Sequence, residues 1–370
     1  MEDRLALQTA TGTTFKHNLT LKPVPPFSFD LSATIFSRGD PEFRNYEDGS
    51  FKTAIRLDGT IALATITSSG TVEAPVLKVE LRARDPLTRQ ELEKARKLIN
   101  RMFNLDLDLK PFYKAAKGDP VMSRFIESLY GLKSPTTPTV FEALVDSIVE
   151  QQISLIAAQS MQRKLIRKFG DKIVLDGETF YLFPTPEKLA GATIPALKSC
   201  GLSTRKAEYI KEISHLVATG QLDLDKYESY EDIGVIRDEL TAIRGIGNWT
   251  AEMTMIRGLH KMDSFPADDI GLQARMTHYY GKGGRATSED LRRLAENWGT
   301  YRGLGGYYMI MAHHVGIEPV TSWPKFWSQE AGWAGSHKTK GRGGASRKKA
   351  TNKATGAAAR TPAAGKAGGR

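Results

Sequence analysis

The stretch "TAIRGIGNWTAEMTMIRG", residues 241–258, restricts the fold of this 370-residue chain more than any other. The pattern "IRDELTAI" predicts a helix ending near Ile243. Gly245 and Gly247 make a tight turn, and a second helix is expected from about Asn248. Gly-hydrophobic-Gly permits positive φ and close backbone approach, and Ile246 is placed to plug the gap between the two helices. Amide N–H groups at the turn and at the incoming helix N-terminus then point outward, a geometry that fits a phosphate. Turns of this kind also occur where they do no more than end a helix.

Upstream the pattern differs. Between residues 25 and 85, "FSFDLSATIF", "FKTAIRLDGTIALATIT" with an Asp58-Gly59 turn, and "PVLKVELRAR" alternate or run apolar, which predicts strands. After Asp85-Pro86 the period becomes helical, with Leu92, Ala95, Leu98, Ile99 and Met102 on one face. The expectation is an α+β lobe over residues 25–111, preceded by a flexible N-terminus, 1–24. From residue 112 the chain reads as almost wholly helical. Thr139 and Glu142 form a capping-box pair ahead of an apolar face of Phe141, Leu144, Val145, Ile148 and Val149. Thr185-Pro186 reads as N-cap and first helical position, and "LKSCGLSTRKAEYI" as a helix end, a Gly201 turn and a new helix. A helical domain over 112–328 follows.

The net charge of +10 is not spread evenly. Ten of the 52 Lys and Arg fall in residues 331–370, with none of the 42 Asp and Glu, so residues 1–330 carry 42 of each. The segment 329–370 lacks the apolar side chains that would offset its ordering entropy, and it reads as a disordered polycation suited to salt-sensitive attraction to phosphate. A solubility tail or a cloning remnant has the same composition. The opening "MEDRLALQTATG" does not read as a signal peptide, and no apolar run approaches the ~18 residues of a membrane helix. A single cysteine, Cys200, rules out an intrachain disulfide, a four-cysteine iron–sulfur cluster and cysteine-based structural zinc. It reads as a small half-buried hydrophobe.

Seven ordered blocks carry a resemblance: "PPFSF", "FEALVDSIVEQQIS", "FPTPEKLA", "LKSCGLSTRKAEYI", "RGIGNWTAEMTMIRG", "DDIGLQAR" and "ENWGTYRG". Over roughly residues 25–320 the chain resembles the helix-hairpin-helix DNA glycosylase superfamily, most closely the alkylbase glycosylases called DNA-3-methyladenine glycosylase II. The implied fold is a small β-rich α+β lobe packed on a helical bundle that carries the hairpin.

The resemblance assigns the catalytic role to Asp269, by its spacing to Leu272 and Arg275, and leaves Asp268 to cap the following helix. A fixed anion near C1′ favours an oxocarbenium-like transition state over the neutral ground state. A helix N-terminus holds that anion ionised and makes it a weak base, so electrostatic stabilisation comes first and activation of water second. Bifunctional relatives carry a lysine where this chain has Trp249. Indole cannot form a Schiff base, so a monofunctional enzyme is implied. Trp249 can present a π face to a flipped cationic purine, worth about 0.5–2 kcal/mol. It can also pack between the domains without touching substrate. Met253 and Ile270 stand where close relatives carry pocket tyrosines, which thins the aromatic cage. Gln152 aligns with the side chain that fills the gap left by a flipped base. Amides of Gly245, Gly247 and Thr250 are implied near a DNA phosphate, and carbonyls of Thr241, Ile243 and Ile246 around a structural monovalent cation, Na+ or K+. No redox cofactor or catalytic divalent metal is implied.

The expected function is excision of 3-methyladenine-type alkylated purines from double-stranded DNA in base-excision repair, by a monomer that needs no membrane. The rivals are a non-catalytic DNA-damage binding protein, and a glycosylase for hypoxanthine, uracil or oxidised purines. The expected location is the cytoplasm, on the nucleoid, in a prokaryote. "SRKKATNK" can also be read as a nuclear import signal.

Overall fold

A computed structural model describes residues 14–281 and 284–319. Backbone contacts divide the chain into Met1–Pro324 and Lys325–Arg370. The basic tail, including "SRKKATNK", lies outside the described residues.

The first unit opens with strand β1 (Phe15–Leu21), helix α1 (Phe29–Phe36), strands β2 (Arg44–Glu47), β3 (Ser50–Arg56), β4 (Ile61–Ser68) and β5 (Leu77–Ala83), and helix α2 (Arg89–Phe103). The strands form an antiparallel sheet of order β1-β5-β4-β3-β2. The flexible N-terminus expected over residues 1–24 is therefore corrected for its second half. Phe15, His17, Leu19 and Leu21 alternate toward the protein, and Phe15 pairs with Ala83, Leu21 with Leu77. Residues 1–13 lie outside the described residues.

A second correction falls on "FSFDLSATIF", which is helical. Its apolar residues satisfy both periods, but Phe29, Ser32, Ala33 and Phe36 are buried at helical spacing, and Ser28 Oγ accepts the Leu31 N–H at 3.4 Å as N-cap. Packing decides the choice. Phe29 and Phe36 close on Phe103 of α2 with ring centroids 5.7 and 5.6 Å away, and Phe51 of β3 completes the cluster at 5.0 Å. Helix α2 starts at a full capping box, Thr88 with Glu91, and stops at Asn104 in the left-handed region, φ 52°.

The helical part runs through α3 (Lys110–Ala115), α4 (Pro120–Ser128), α5 (Val140–Glu150) and α6 (Leu155–Phe169). After an interruption it continues with α7 (Pro186–Gly191), α8 (Ile194–Lys198), α9 (Thr204–Ala218), α10 (Ile233–Thr241), α11 (Asn248–Leu259), α12 (Ile270–Tyr280), α13 (Ser288–Ala295) and α14 (Arg302–His314). The interruption is a hairpin, β6 (Lys172–Leu175) and β7 (Glu178–Tyr181), so the chain after residue 112 is not wholly helical. Asp176-Gly177 supplies its two positive-φ turn residues, a signal the helical reading passed over. The hairpin covers the outer face of the sheet, where Ile173, Leu175, Phe180 and Leu182 pack on Ala54 and Leu63. Lys52 and Arg82 of the sheet reach Glu178 at 2.5 Å each.

Helix α5 runs through the middle of the helical core, with Val140, Leu144, Val145, Ile148 and Val149 fully buried. It lies close against α11: a Cβ on Gly258 would come within 2.9 Å of Ala143 Cβ and 3.2 Å of Val140 Cα. Only half of the expected capping box at its start is present. Thr139 Oγ1 accepts the Glu142 N–H at 3.1 Å, but the Glu142 carboxylate turns to the Arg44 guanidinium of β2 at 2.5 Å. A buried guanidinium is the stronger partner for a buried carboxylate than an amide already at the helix end. Among the described residues no helix is long and apolar enough to cross a membrane.

Candidate active site

The hairpin between α10 and α11 forms where the glycines predict it. Gly245 has φ +94° and lies against the Tyr209 ring, whose nearest atom would be 2.3 Å from an added Cβ. Gly247 is the N-cap of α11 with φ −96°, so of the pair only Gly245 uses the positive-φ region. Ile246 is buried in the helical core, and its N–H closes the turn on the Ile243 carbonyl at 3.1 Å. Because Gly247 has no side chain to cap the helix, the first amides of α11 have no side-chain acceptor, and Gly247 and Asn248 are exposed. That open, partly positive helix end suits an anion.

Two residues that sequence reasoning missed hold the hairpin in place. Gln151 donates through Nε2 to the Gly245 carbonyl at 3.0 Å and to Thr250 Oγ1 at 2.9 Å. Lys206 of α9 donates through Nζ to the Val149 and Gln151 carbonyls, both at 2.7 Å, capping the end of α5, and its burial pulls its pKa down. Thr250 is thus buried and turned inward. Gln152, one residue on, is exposed and left-handed at φ 55°. Leu155 and Ile156 beside it are 58% and 81% exposed.

Asp269 is the N-cap of α12. Its Oδ1 accepts the Leu272 N–H at 2.8 Å, and its Oδ2 accepts the indole N–H of Trp249 at 2.8 Å. The capping role expected of Asp268 therefore belongs to Asp269: the cap position must bring its side chain back over the third helical amide, and only residue 269 precedes Ile270 directly. Asp268 is exposed and pairs with Arg292 at 3.2 Å. Trp249, half-buried, begins α11, and Met253 lies one turn further along the same face, also half-buried. Ile270 is 69% exposed beside the carboxylate. The site thus brings together Asp269 and Trp249, with Met253 one turn along α11 and Ile270 next to the carboxylate in the chain.

The geometry sets an oriented carboxylate against the indole of Trp249, the second residue of the helix whose open end suits an anion. Residues 145–300, which contain all of it, match the HhH-GPD superfamily of base excision DNA repair proteins. A DNA-3-methyladenine glycosylase of Bacillus subtilis is 32% identical over 226 residues, 60% of this chain and 74% of that one. The chain belongs to this superfamily. A probable N-glycosylase/DNA lyase of Methanothermobacter thermautotrophicus is 25% identical over 279 residues, 70% of this chain and 84% of that one. The fold is that of the superfamily's solved members: the 3-methyladenine DNA-glycosylase from Archaeoglobus fulgidus superposes with a TM-score of 0.70 at 26% identity, covering 81% of this chain and 99% of its own.

A second group of charges in this superfamily member escaped the sequence reading. On α5, Glu142, Asp146 and Glu150 recur every four residues, on one side of a helix that is otherwise apolar. That spacing was the available signal. Glu150 pairs with Arg257 of α11 at 2.7 Å, and the Arg257 guanidinium also feels Asp146 and Asp269. Burial, then the charges of Glu142 and Glu150, push the Asp146 carboxyl well above the usual carboxylate range, against the opposing pull of Arg44 and Arg257.

Elsewhere, a groove of about 480 Å³ lined by Arg163, Lys164, Arg167, Lys168, Ser199 and Cys200 opens at the C-terminal half of α6, the end of that helix away from Gln152. Arg167 is taken up there by Asp40 at 2.6 Å. Cys200 is buried in the helical core, more deeply than the half-buried position expected of it.

Proposed function

We propose that the chain is a monofunctional DNA glycosylase that hydrolyses the N-glycosidic bond of alkylated purines in duplex DNA and leaves an abasic site. The observation that carries this reading is the Asp269–Trp249 pair. Each carboxylate oxygen accepts one N–H, an arrangement for an anion, and the residue that orients it is an indole where a Schiff-base mechanism needs an amine. The 3-methyladenine names of the Bacillus and Archaeoglobus relatives support the lesion class.

In this mechanism the damaged nucleotide is extruded and its C1′ lies beside Asp269. The C1′–N bond breaks with its electron pair on the leaving base, and the negative carboxylate lowers the energy of the sugar cation. Water adds at C1′, and its proton passes to the departed base or to solvent. Gln152 fills the vacated stack in this reading, supported by its exposure beside the apolar Leu155 and Ile156. The hairpin amides of Gly245, Gly247 and Thr250 hold a phosphate. The carbonyls of Thr241, Ile243 and Ile246 fit a monovalent cation: among the described residues no backbone hydrogen bond falls on the first and third, and the second accepts one from Ile246. Such an ion would add positive charge beneath that phosphate, and no chemical step passes through it.

The test is to incubate the protein with methylated duplex DNA and resolve the free bases by chromatography. The expected outcome is release of methylated purines, with no covalent protein–DNA complex trapped by borohydride. Trapping would overturn the monofunctional reading, and failure to release any base would favour a damage-binding protein. Trp249→Phe separates the ring from its N–H. It is expected to slow release about tenfold, the worth of one hydrogen bond to a charged acceptor, with DNA affinity unchanged. A gel-shift titration beside the release assay checks both halves.

A further inference from the structure

Nine buried side-chain polar atoms among the described residues have no hydrogen-bond partner, and three of them belong to one group of residues: Asp146 Oδ1, Tyr307 Oη and Arg44 Nε. Unmet polar atoms are uncommon in a folded interior, and a cluster of them marks a place where a ligand's polar edge can complete the bonding. Electrostatics ties the three together and to the catalytic carboxylate. Tyr307 of α14 feels the guanidinium groups of Arg38 and Arg257, Asp146 of α5 feels those of Arg44 and Arg257, and Arg257 of α11 feels Asp269.

Four of the other charges here are matched in two pairs. Glu142 holds Arg44 at 2.5 Å, and Glu150 holds Arg257 at 2.7 Å. Asp146 is left between two committed ion pairs. Asp146 and Tyr307 keep some accessible surface although their unpartnered oxygens are buried, as expected for residues that wall a recess. No group of His, Cys, Asp and Glu among the described residues is arranged to hold a metal ion.

We infer that Asp146 and Tyr307 form the hydrogen-bonding wall of the base pocket, the Asp146 carboxyl offering one donor and one acceptor side by side to the N1–N6 edge of an extruded adenine-type base. This rests on the reading of the chain as a base-excising glycosylase. A protonated carboxyl pairs in this way with an amidine edge, whose N1 accepts and whose N6 donates, as 3-methyladenine retains. An adenine whose N1 and N6 are bridged, as in 1,N6-ethenoadenine, cannot make the pair. Discrimination therefore comes from a polar edge where the thinned aromatic cage supplies less. A site built to hydrogen-bond its ligand rejects an analogue lacking the groups more strongly than an apolar pocket does.

Burial, together with the two neighbouring carboxylates on its own helix, pushes the Asp146 carboxyl up, while Arg44 of β2 and Arg257 of α11 pull it down. Tyr307 of α14 and Asp269 before α12 are tied to it through Arg257, and Arg38 after α1 acts on Tyr307. Because the carboxyl's pKa is raised, the donor–acceptor form is present at lower pH and lost as pH rises through that raised value.

The experiment titrates free 3-methyladenine and free 1,N6-ethenoadenine into the full chain and its variants by calorimetry, with release from methylated duplex DNA measured beside it. Asp146→Leu is expected to weaken 3-methyladenine binding about tenfold or more. Asp146→Asn, whose amide also offers a donor beside an acceptor, should stay within about threefold. Ethenoadenine should bind all three proteins alike. Wild-type affinity should fall with rising pH, and that of Asp146→Asn should not. Tyr307→Phe gives an independent arm, with a loss of about three- to tenfold. The inference is overturned if Asp146→Leu binds 3-methyladenine as the wild type does, or if Asp146→Asn loses as much as Asp146→Leu. Base binding with this dependence but without release would sink the glycosylase reading and leave the pocket wall standing. Release without any dependence on residue 146 would do the reverse.

Discussion

Asp269→Asn is expected to lower the rate of base release by about 10²–10³-fold, the usual cost of removing a preorganised group that meets transition-state charge. DNA affinity should change little, because the hairpin amides and Gln152 are untouched. The structure adds a second consequence. The carboxylate now accepts from two N–H donors, Leu272 on Oδ1 and Trp249 on Oδ2. An asparagine has one oxygen and one NH2, so it can satisfy only one of them and must turn a donor toward the other. A further loss of about 1 kcal/mol of stability follows. Single-turnover release assays and thermal melts on the same preparations check the two effects separately. Release at the wild-type rate would mean that another group carries the charge.

Gly245→Ala should damage the fold and DNA binding together. A Cβ at this position meets three Tyr209 ring carbons at 2.3, 2.5 and 2.8 Å, and alanine must also adopt φ +94°. Left-handed backbone costs a non-glycine residue about 1–2 kcal/mol, and overpacking adds about 1–3 more. The Gly245 carbonyl that Gln151 holds moves with the turn, so the amides proposed to hold a phosphate lose their placement. The expected result is a drop of about 2–5 kcal/mol in unfolding free energy and at least a tenfold weaker grip on duplex DNA. Denaturant unfolding and a binding titration measure these. Tyr209→Leu in the same chain should restore the packing share and leave the backbone share, since the shorter side chain gives way while φ stays positive. No recovery at all would show that the ring contact is not the obstacle.

Local rules read much of this chain correctly. The Gly245-Ile246-Gly247 turn, the α11 start at Asn248, the helix starts after Thr139 and Thr185, the new helix beyond the Gly201 turn, and the strands on either side of Asp58-Gly59 all follow from capping, turn chemistry and hydrophobic period acting within a few residues. These terms are short-range, so a sequence window contains them. The division into an α+β lobe and a helical domain was legible for the same reason, and the resemblance implied how they pack. The errors lie where two local readings were equally good and a distant contact chose between them. "FSFDLSATIF" became a helix because Phe103, 67 residues beyond Phe36, supplied the surface that its helical face covers. Residues 172–181 became strands against the outer face of a sheet built from residues 44–83.

The site divides along the same line. Its residue types and the Asp269 position could be taken from spacing and resemblance. Their partners could not, because a hydrogen bond between positions 249 and 269, or an ion pair between 44 and 142, depends on how helices and lobes cross. Thus the capping carboxylate proved to be Asp269 and not Asp268, Gln151 turned inward while Gln152 faced out, and Glu142 left its own helix end for Arg44. Sequence alone determined most of the turns and helix starts of the described residues and the chemical groups they carry. Only the tertiary structure decided which of those groups meet, since burial strengthens an ion pair or hydrogen bond, or leaves a polar atom unmet, according to neighbours brought in from far along the chain.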